Sequence, residues 1–545
     1  MKAADFFSKL RENLTFERLF LIILLVSLFV RLYNLDLKLF HHDEAVHAWF
    51  SFRLLTEGVY QYDPMFHGPL LYYVTTGMFS VFGDSDLVGR IVPSILGVLL
   101  IPLVFLIYRL GYLDKKQTLI AALFIAISPE MVYFSRFLRN DIFIIFFTLL
   151  LLVALLYYLE YGKFRHLLVG AVATGLGMSS KENMPVVILI FGSFLVYLVW
   201  KGKIQLPIHW KRDFILATIV VVGIMAVLYS SFGNHPEVLA DGWIKAIEHW
   251  TSMHRQERLG GPPYFYILFC ILYELPILLL AVFATGQFIM DGKKIRFPWG
   301  QRTREVAKDF HSIVRISIDQ LKDAGAARLA SLSGFSWISG TDKKKEFMRF
   351  CIYWMVISFA VYAYIGEKVP WLILHQLLPM IFVAVYRMTD RKAVVAVIMS
   401  VFLIVMTLHV AFTPADISEP IVQVQNSEDV RIVMEMIDAS DKVAIPTSHY
   451  WPLPWYYRGG LDSKISYITS EHDEDTFESS EYDLVILHDE ESYPSLKGYE
   501  KQEYKLSYWF SAYDNMDRLL PYYIFRDGKV GSINWDVFVR NNMTI

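Results

Sequence analysis

The feature that most restricts this chain is a series of apolar runs, each about as long as a bilayer crossing. They lie near 17–34, 87–108, 118–134, 142–159, 166–179, 184–200, 214–231, 264–289, 348–366, 371–386 and 392–412. One crossing takes roughly 20 helical residues, so the series predicts about eleven spans. Backbone groups inside lipid need partners within the segment, which makes these spans helices. Composition agrees, with 55% hydrophobic and only 19% charged residues, too little charge for a water-soluble chain of this length. The net charge of -3 offers no basic face, so no nucleic-acid partner is expected. Cys270 and Cys351 both fall in apolar runs and supply no disulfide framework. The first run has no small-residue cleavage site after it and reads as a retained helix rather than a signal peptide.

The stretch 68–83, GPLLYYVTTGMFSVFG, is ambiguous, and charge asymmetry decides it. If it lies along the surface, the basic connections Lys2 to Arg18, Arg109 to Lys116, Lys163 to Arg165, Lys201 to Arg212, 291–346 and Arg387 to Lys392 all face one side. That side is cytoplasmic by the positive-inside rule. The N-terminus is then cytoplasmic and the protein a multi-pass protein of the cell membrane. Residues 1–412 form a transmembrane domain. Residues 413–545 form an extracytoplasmic α/β domain, with strands at KVAIP, KISYI and YDLVILHD and a helix at EDVRIVMEMIDA. Residues 301–340 are expected to form a cytoplasmic surface helix.

The ionisable clusters then share the outer face. They are HHDEAVHAWF (41–50), DPMFHGPLLYY (63–73), SRFLRND (135–141), SSKEN (179–183), the 234–261 loop and GEKVPW (366–371). Ionisable residues at a membrane edge are costly and mark substrate sites. These come from distant parts of the chain, so a fold that gathers the outer helix ends makes one polar cavity. Asp43 and Glu44 are adjacent, and their side chains diverge. One can act as general base while the other caps a helix or holds a partner. Arg136, Arg139 and Lys181 can bind a phosphate. A carboxylate base beside phosphate-binding cations suits glycosyl transfer from a lipid phosphate, whose leaving group is an anion.

These residues resemble the GT-C superfamily of integral membrane glycosyltransferases. The resemblance rests on Asp43-Glu44 after the first span, His67-Gly68-Pro69-Leu70 downstream, Arg139-Asn140-Asp141 and Lys181-Glu182. The pattern is nearest the protein O-mannosyltransferase and aminoarabinose-transferase branch. The stretch YWPLPWYYRGG (450–460) is similar to an archaeal and bacterial GT-C-like family associated with lipid-linked sugar flipping. The resemblance implies a polyprenyl-phosphate-linked sugar as donor and two membrane-parallel helices in the first outer loop. It also implies Asp43 as the base with Glu44 as its neighbour in the motif. Arg136, Arg139 and Asp141 would line the donor site, and Lys181 and Glu182 would face the lipid phosphate. His67 stands where aminoarabinose-branch relatives carry a lysine, which puts the phosphate contact there in question.

Plainer readings stand beside these. Asp43 and Glu44 also suit the first turn of a surface helix. Arg136 and Arg139, three apart, share a face if helical and also suit headgroup snorkelling. His41, His42, His47 and His67 offer ligands for a divalent metal with Asp43, the His42/Asp43 pair being the candidate; the sequence does not require a metal. Glu367, Lys368, Trp371 and His375 are candidates for acceptor or sugar contact, although Lys181-Glu182 and Glu367-Lys368 also read as ion pairs and His375 as a packed histidine. The expected activity is an inverting transfer of sugar to a protein, lipid or glycan acceptor at the outer face. The alternative is a non-catalytic component that binds or flips lipid-linked sugar.

Overall fold

The structure is a computed structural model that describes residues 15–58, 60–256, 261–292, 336–338, 340–414, 416–459, 464–468, 481–489 and 496–541. The chain is mostly helical, and its C-terminal part carries a sheet. Each of the eleven apolar runs is a helix or a bent helix pair, from Phe16–Leu32 to Asp390–Phe412. Among the described residues five helices are long and apolar enough to cross a membrane, or seven if each bent pair counts as one span. Phe164–Met178, Met184–Trp200 and Pro370–Ala384 are apolar but shorter. The eleven apolar runs are therefore helical, and five to seven of the elements have full crossing length.

Both breaks follow from proline. Lys115–Ile127 and Pro129–Ser135 meet at 55°, and Phe265–Tyr273 and Leu275–Asp291 at 113°. Pro129 and Pro276 each sit in the first turn of the second helix, where proline's missing N–H costs nothing, but neither continues the helix before it. Glu274 bridges the two breaks. Its carboxylate accepts from Ser128 Oγ (2.5 Å) and from the Glu130 backbone N–H (3.2 Å).

Between helices Phe16–Leu32 and Asp86–Arg109 lie two helices, His42–Glu57 and Leu70–Phe82, packed side by side. The 13 residues of Leu70–Phe82 extend about 20 Å, short of the ~30 Å hydrocarbon core. The stretch 68–83 thus lacks the length of a crossing. The expected helix over 301–340 lies almost wholly outside the described residues. At its end, Ser336–Trp337 pairs antiparallel with Ile204–Gln205, joining two connections assigned to the same side.

The C-terminal sheet has six strands. Ile465–Tyr467, Val443–Ile445 and Leu484–His488 run parallel. Val530–Arg540, Tyr499–Phe510 and Gln425–Asn426 then add antiparallel. The three expected strands and the helix, Asp429–Ala439, are all present. The helix buries Val430, Val433, Met436 and Ile437 on Ile445, Ile486, Trp535 and Val537. Sequence reading missed the long pair Tyr499–Phe510 and Val530–Arg540, in which polar and charged residues interrupt the apolar ones.

The sheet region is tied firmly to the helices. Trp455 Nε1 and Tyr456 Oη donate to the two oxygens of Asp86, each at 2.7 Å, and Tyr456 Oη accepts from the Phe40 N–H at 2.9 Å. Arg458 pairs with Asp84 and stacks on Trp455. Most of the WPLPWYYRGG stretch is therefore a packing joint, and Trp451 alone among its aromatics reaches the cavity described next.

Candidate functional site

The site begins with how helix His42–Glu57 starts. His41 is the N-cap: its Nδ1 accepts from the Asp43 N–H at 3.0 Å, and Glu44 reaches back to the His41 N–H at 3.0 Å, a capping box. This fixes two adjacent acids in opposite directions. Asp43 lines a cavity of about 790 Å³. Glu44 points into the protein and is fully buried. It accepts from Arg90 Nε and Nη2 at 2.8 and 2.6 Å and from the Leu138 N–H at 2.7 Å. Arg90 spends its other donors on the carbonyls of Leu35, Lys38 and Leu39. Glu44 thus binds three segments together, and its expected place beside the chemistry is corrected to an anchor beneath it.

Across the cavity wall runs a chain of alternating charge. Arg139 pairs with Asp43 and, at 3.4 Å, with Asp141. Lys181 Nζ donates to the other oxygen of Asp141 at 2.6 Å. The Arg139 guanidinium lies 3.7 Å from the Trp371 ring centroid, with Lys181 at 5.9 Å. Asp43, Arg139, Lys181 and Trp371 line the cavity, while Asp141 lies buried behind the two cations. Burial alone would raise the Asp43 pKa, but Arg139, with help from His41 and His42, holds it well below the usual carboxylate range.

Arg136 is elsewhere. Helix Pro129–Ser135 ends before it, so it does not share a helical face with Arg139. Its guanidinium donates to the carbonyls of Val30, Arg31, Tyr33 and Asn34 at 2.7–3.2 Å and stacks on Phe412. It caps the end of the first helix and does not line the cavity. Its expected role on the donor phosphate is corrected accordingly. Lys368 behaves alike, donating to the carbonyls of Tyr362, Ala363 and Ile365. His375 is buried, hydrogen-bonded with Asn183 Nδ2 (3.1 Å) and stacked on Tyr362. Neither lines the cavity, whereas Glu367 does.

A second corner of the cavity holds His67 and Glu182, hydrogen-bonded at 3.0 Å. The His67 ring lies flat on Trp250, with centroids 5.3 Å apart and planes 2° apart. Burial opposes ionisation of Glu182, yet His67 draws its pKa below the usual value. Trp250 and His249 are the members of the 234–261 loop seen at the cavity. The side chains of Trp243, His254, Arg255 and Arg258 lie outside the described residues. The next residue, Gly68, seats this corner: its N–H donates to Ser180 O, and the Leu70 N–H donates to Ser179 O. A Cβ on Gly68 would overlap the Ser179 carbonyl. Gly68→Ala is expected to separate the two loops and destabilise the protein by about 2–4 kcal/mol, measured as a fall in melting temperature in detergent. An unchanged melting temperature would refute this account of the corner.

Among the described residues the histidines are not grouped as a metal site. His41 is engaged through both ring nitrogens, with the Asp43 N–H and Gln423 O. His47 is hydrogen-bonded with Tyr72 Oη at 2.8 Å, and burial followed by Arg139 pulls its pKa down to about 3. Among the described residues no three His, Cys, Asp or Glu side chains are grouped to hold a metal ion. The His42/Asp43 pair therefore has, among the described residues, no third His, Cys, Asp or Glu grouped with it. The cavity wall that sequence reading missed comes from the C-terminal part: Gln423, Asn426, Ser448, His449 and Ser507, beside Trp451 of the WPLPWYYRGG stretch. These five positions carry no motif.

Residues 66–229 match the family described as Dolichyl-phosphate-mannose-protein mannosyltransferase. No protein of curated function matches the chain. Among solved structures, the Saccharomyces cerevisiae protein O-mannosyltransferase Pmt1-Pmt2 complex bound to the sugar donor is 20% identical, at a TM-score of 0.35, over 41% of this chain and 34% of that one. ArnT from Cupriavidus metallidurans bound to undecaprenyl phosphate is 15% identical, at a TM-score of 0.45, over 70% and 62%. The oligosaccharyltransferase AglB from Archaeoglobus fulgidus, in complex with an inhibitory peptide and a dolichol-phosphate, is 14% identical, at 0.45, over 87% and 69%. The chain thus spans 34% and 62% of the lengths of the first two. The matched segment holds His67-Gly68-Pro69, Arg139-Asn140-Asp141 and Lys181-Glu182, and over it the chain is similar to that family.

Proposed function

We propose that this protein transfers a sugar from a polyprenyl-phosphate donor to a hydroxyl-bearing acceptor on a protein, lipid or glycan, with inversion, at the extracytoplasmic face of the cell membrane. In this reading residues 1–412 form the membrane domain with a cytoplasmic N-terminus, and 413–545 the extracytoplasmic domain. The observation that carries it is the juxtaposition of Asp43, Arg139 and Lys181 on one wall of a 790 Å³ cavity. The family match over 66–229 supports it.

The residues supply a mechanism. The donor phosphate is drawn to Arg139 and Lys181, and Arg139 turns part of its charge from Asp43 to the phosphate. Asp43, ionised and now less tightly held, accepts the proton of the acceptor hydroxyl. The hydroxyl oxygen bonds to the anomeric carbon as the carbon–oxygen bond to phosphate breaks. The bonding pair leaves with the polyprenyl phosphate, whose charge rests on the two cations. Attack from the face opposite the phosphate inverts the anomeric centre. Glu182 repels a phosphate and accepts from hydroxyls, which places the sugar rather than the phosphate at the His67–Glu182 corner. Trp371 backs both cations and keeps them desolvated.

The direct test supplies polyprenyl-phosphate sugars to the protein in bilayers and follows sugar release or transfer and product configuration. Retention of configuration refutes the single displacement. Tight lipid binding with no turnover of any such donor leaves the binding or flipping reading instead. Lys181→Gln keeps a donor to Asp141 and removes the charge. It is expected to raise the donor KM about 10- to 100-fold, the weight of one charge-assisted phosphate contact, with kcat changed far less. An unchanged KM would remove Lys181 from the phosphate site.

A further inference from the structure

The C-terminal part carries an apolar face that belongs neither to its own core nor to the cavity. Seven large hydrophobic side chains are exposed among the described residues of 413–545, and six of them fall within 13 residues: Tyr513, Met516, Leu519, Leu520, Ile524 and Phe525, the seventh being Ile432. Tyr513 is 93% exposed, Leu520 70% and Phe525 75%. Exposed apolar side chains scattered singly are ordinary, but a dense patch marks an interaction surface.

The segment is built, not frayed. A 3₁₀ turn, Tyr513–Arg518, leads into helix Leu519–Phe525. Its inner side is held by buried Asn515, which donates to the carbonyls of Ser511 and Lys529 and accepts from the Lys529 N–H at 2.8 Å. Buried Tyr522 donates to Glu419 at 3.1 Å. With Asn515 and Tyr522 pinned inward, the apolar residues are forced outward together.

The neighbour says what covers them. Tyr523 Oη donates to Ile271 O at 3.2 Å, and Arg526 Nη2 to Leu272 O at 2.8 Å. Both carbonyls belong to helix Phe265–Tyr273, half of the bent pair that has the apolarity of a crossing. That helix itself exposes Ile267, Leu268 and Ile271. In a membrane helix such a face is turned to lipid, and the 513–525 face continues it. Asp514, Asp517 and the Arg518–Asp527 pair (2.8 Å) border the patch with charge, as at the rim of an interfacial segment.

We propose that residues 513–526 are a membrane foot, by which the C-terminal part inserts Leu519, Leu520, Ile524 and Phe525 into the acyl region of the outer leaflet beside the broken helix. The foot makes the C-terminal part a peripheral membrane element in its own right, adding a lipid contact to the joint with Asp84 and Asp86. The inference rests on the placement of 413–545 against the membrane helices and is independent of the transferase reading.

The test uses the full chain in nanodiscs, with a bimane label on an introduced cysteine and doxyl-labelled lipids as quencher. The two native cysteines are buried, so an unsubstituted protein serves as the labelling blank. Labels at Leu520→Cys and Phe525→Cys are expected to be quenched as strongly as one at Val401→Cys on the exposed face of helix Asp390–Phe412, and about twofold or more above one at Ile432→Cys. Quenching at Leu520 no greater than at Ile432 overturns the proposal. So does disulfide cross-linking of Leu520→Cys between copies without lipid quenching, which would give the face to a second copy of the chain. Sugar-transfer activity is not read in this experiment, so its outcome leaves the proposed function untouched.

Discussion

Asp43→Asn is expected to lower kcat by roughly 10²–10⁴-fold, the range of a lost general base, while the protein still binds polyprenyl-phosphate donor as tightly as before or more so. The second half follows from geometry. In the free protein Asp43 occupies Arg139. A neutral asparagine releases that guanidinium for phosphate, so binding gains where chemistry loses. A structural role for Asp43 would lower both together. Single-turnover kinetics alongside donor binding separates them, and full turnover by the asparagine variant would end the proposal of Asp43 as base. The same pair sets the pH profile. Protonation disables the base, so activity falls as pH drops through the Asp43 pKa. In the free protein Arg139 holds that pKa below the ordinary carboxylate range against the opposing effect of burial, so the acid limb of kcat/KM lies below about pH 4. Once phosphate shares Arg139, the pKa rises, and the acid limb of kcat is expected at higher pH than that of kcat/KM. Coincident limbs would show that Arg139 never leaves Asp43.

Glu44→Ala, one residue away, is expected to fail differently. It strands the Arg90 guanidinium in a fully buried site and removes acceptors from the backbone N–H groups of His41 and Leu138. Breaking a buried ion pair from one side costs about 3–5 kcal/mol, a large share of the ~5–15 kcal/mol that holds a folded domain together. The variant is expected to be recovered at low yield, or with a melting temperature far below that of Asp43→Asn. Glu44→Gln, which keeps acceptor capacity but loses the charge, falls between the two. A Glu44→Ala protein that melts like the parent yet turns over no sugar would return Glu44 to the chemistry.

The contrast between these neighbours shows where sequence reading stops. The apolar runs announce helices because bilayer physics leaves few alternatives, and the clustering of charge between the apolar runs announces a shared cavity. Arg139, Lys181, Trp371, His67 and Glu182 all meet there. Which member of a pair faces the cavity is set by one residue's worth of rotation. The His41 capping box sends Asp43 out and Glu44 in, and nothing in the letters marks a histidine as that cap. Arg136 and Arg139 look equivalent until the helix ends at Ser135, before both of them. Lys368 looks like a partner for Glu367 but goes to free carbonyls at the end of helix Lys343–Tyr364. The C-terminal wall is contributed by short groups at 423–426, 448–451 and 506–507 that are mostly neutral, so no charge cluster announces them.

That wall has a further consequence. The surfaces that would hold the phosphate are drawn from helix ends in the first 371 residues, whereas the facing neutral side chains, Asn426, Ser448 and Ser507, belong to the sheet region. The two halves of the pocket can therefore change separately. In the proposed transferase, exchanging the sheet region would reshape the neutral wall of the pocket while leaving Arg139 and Lys181 in place.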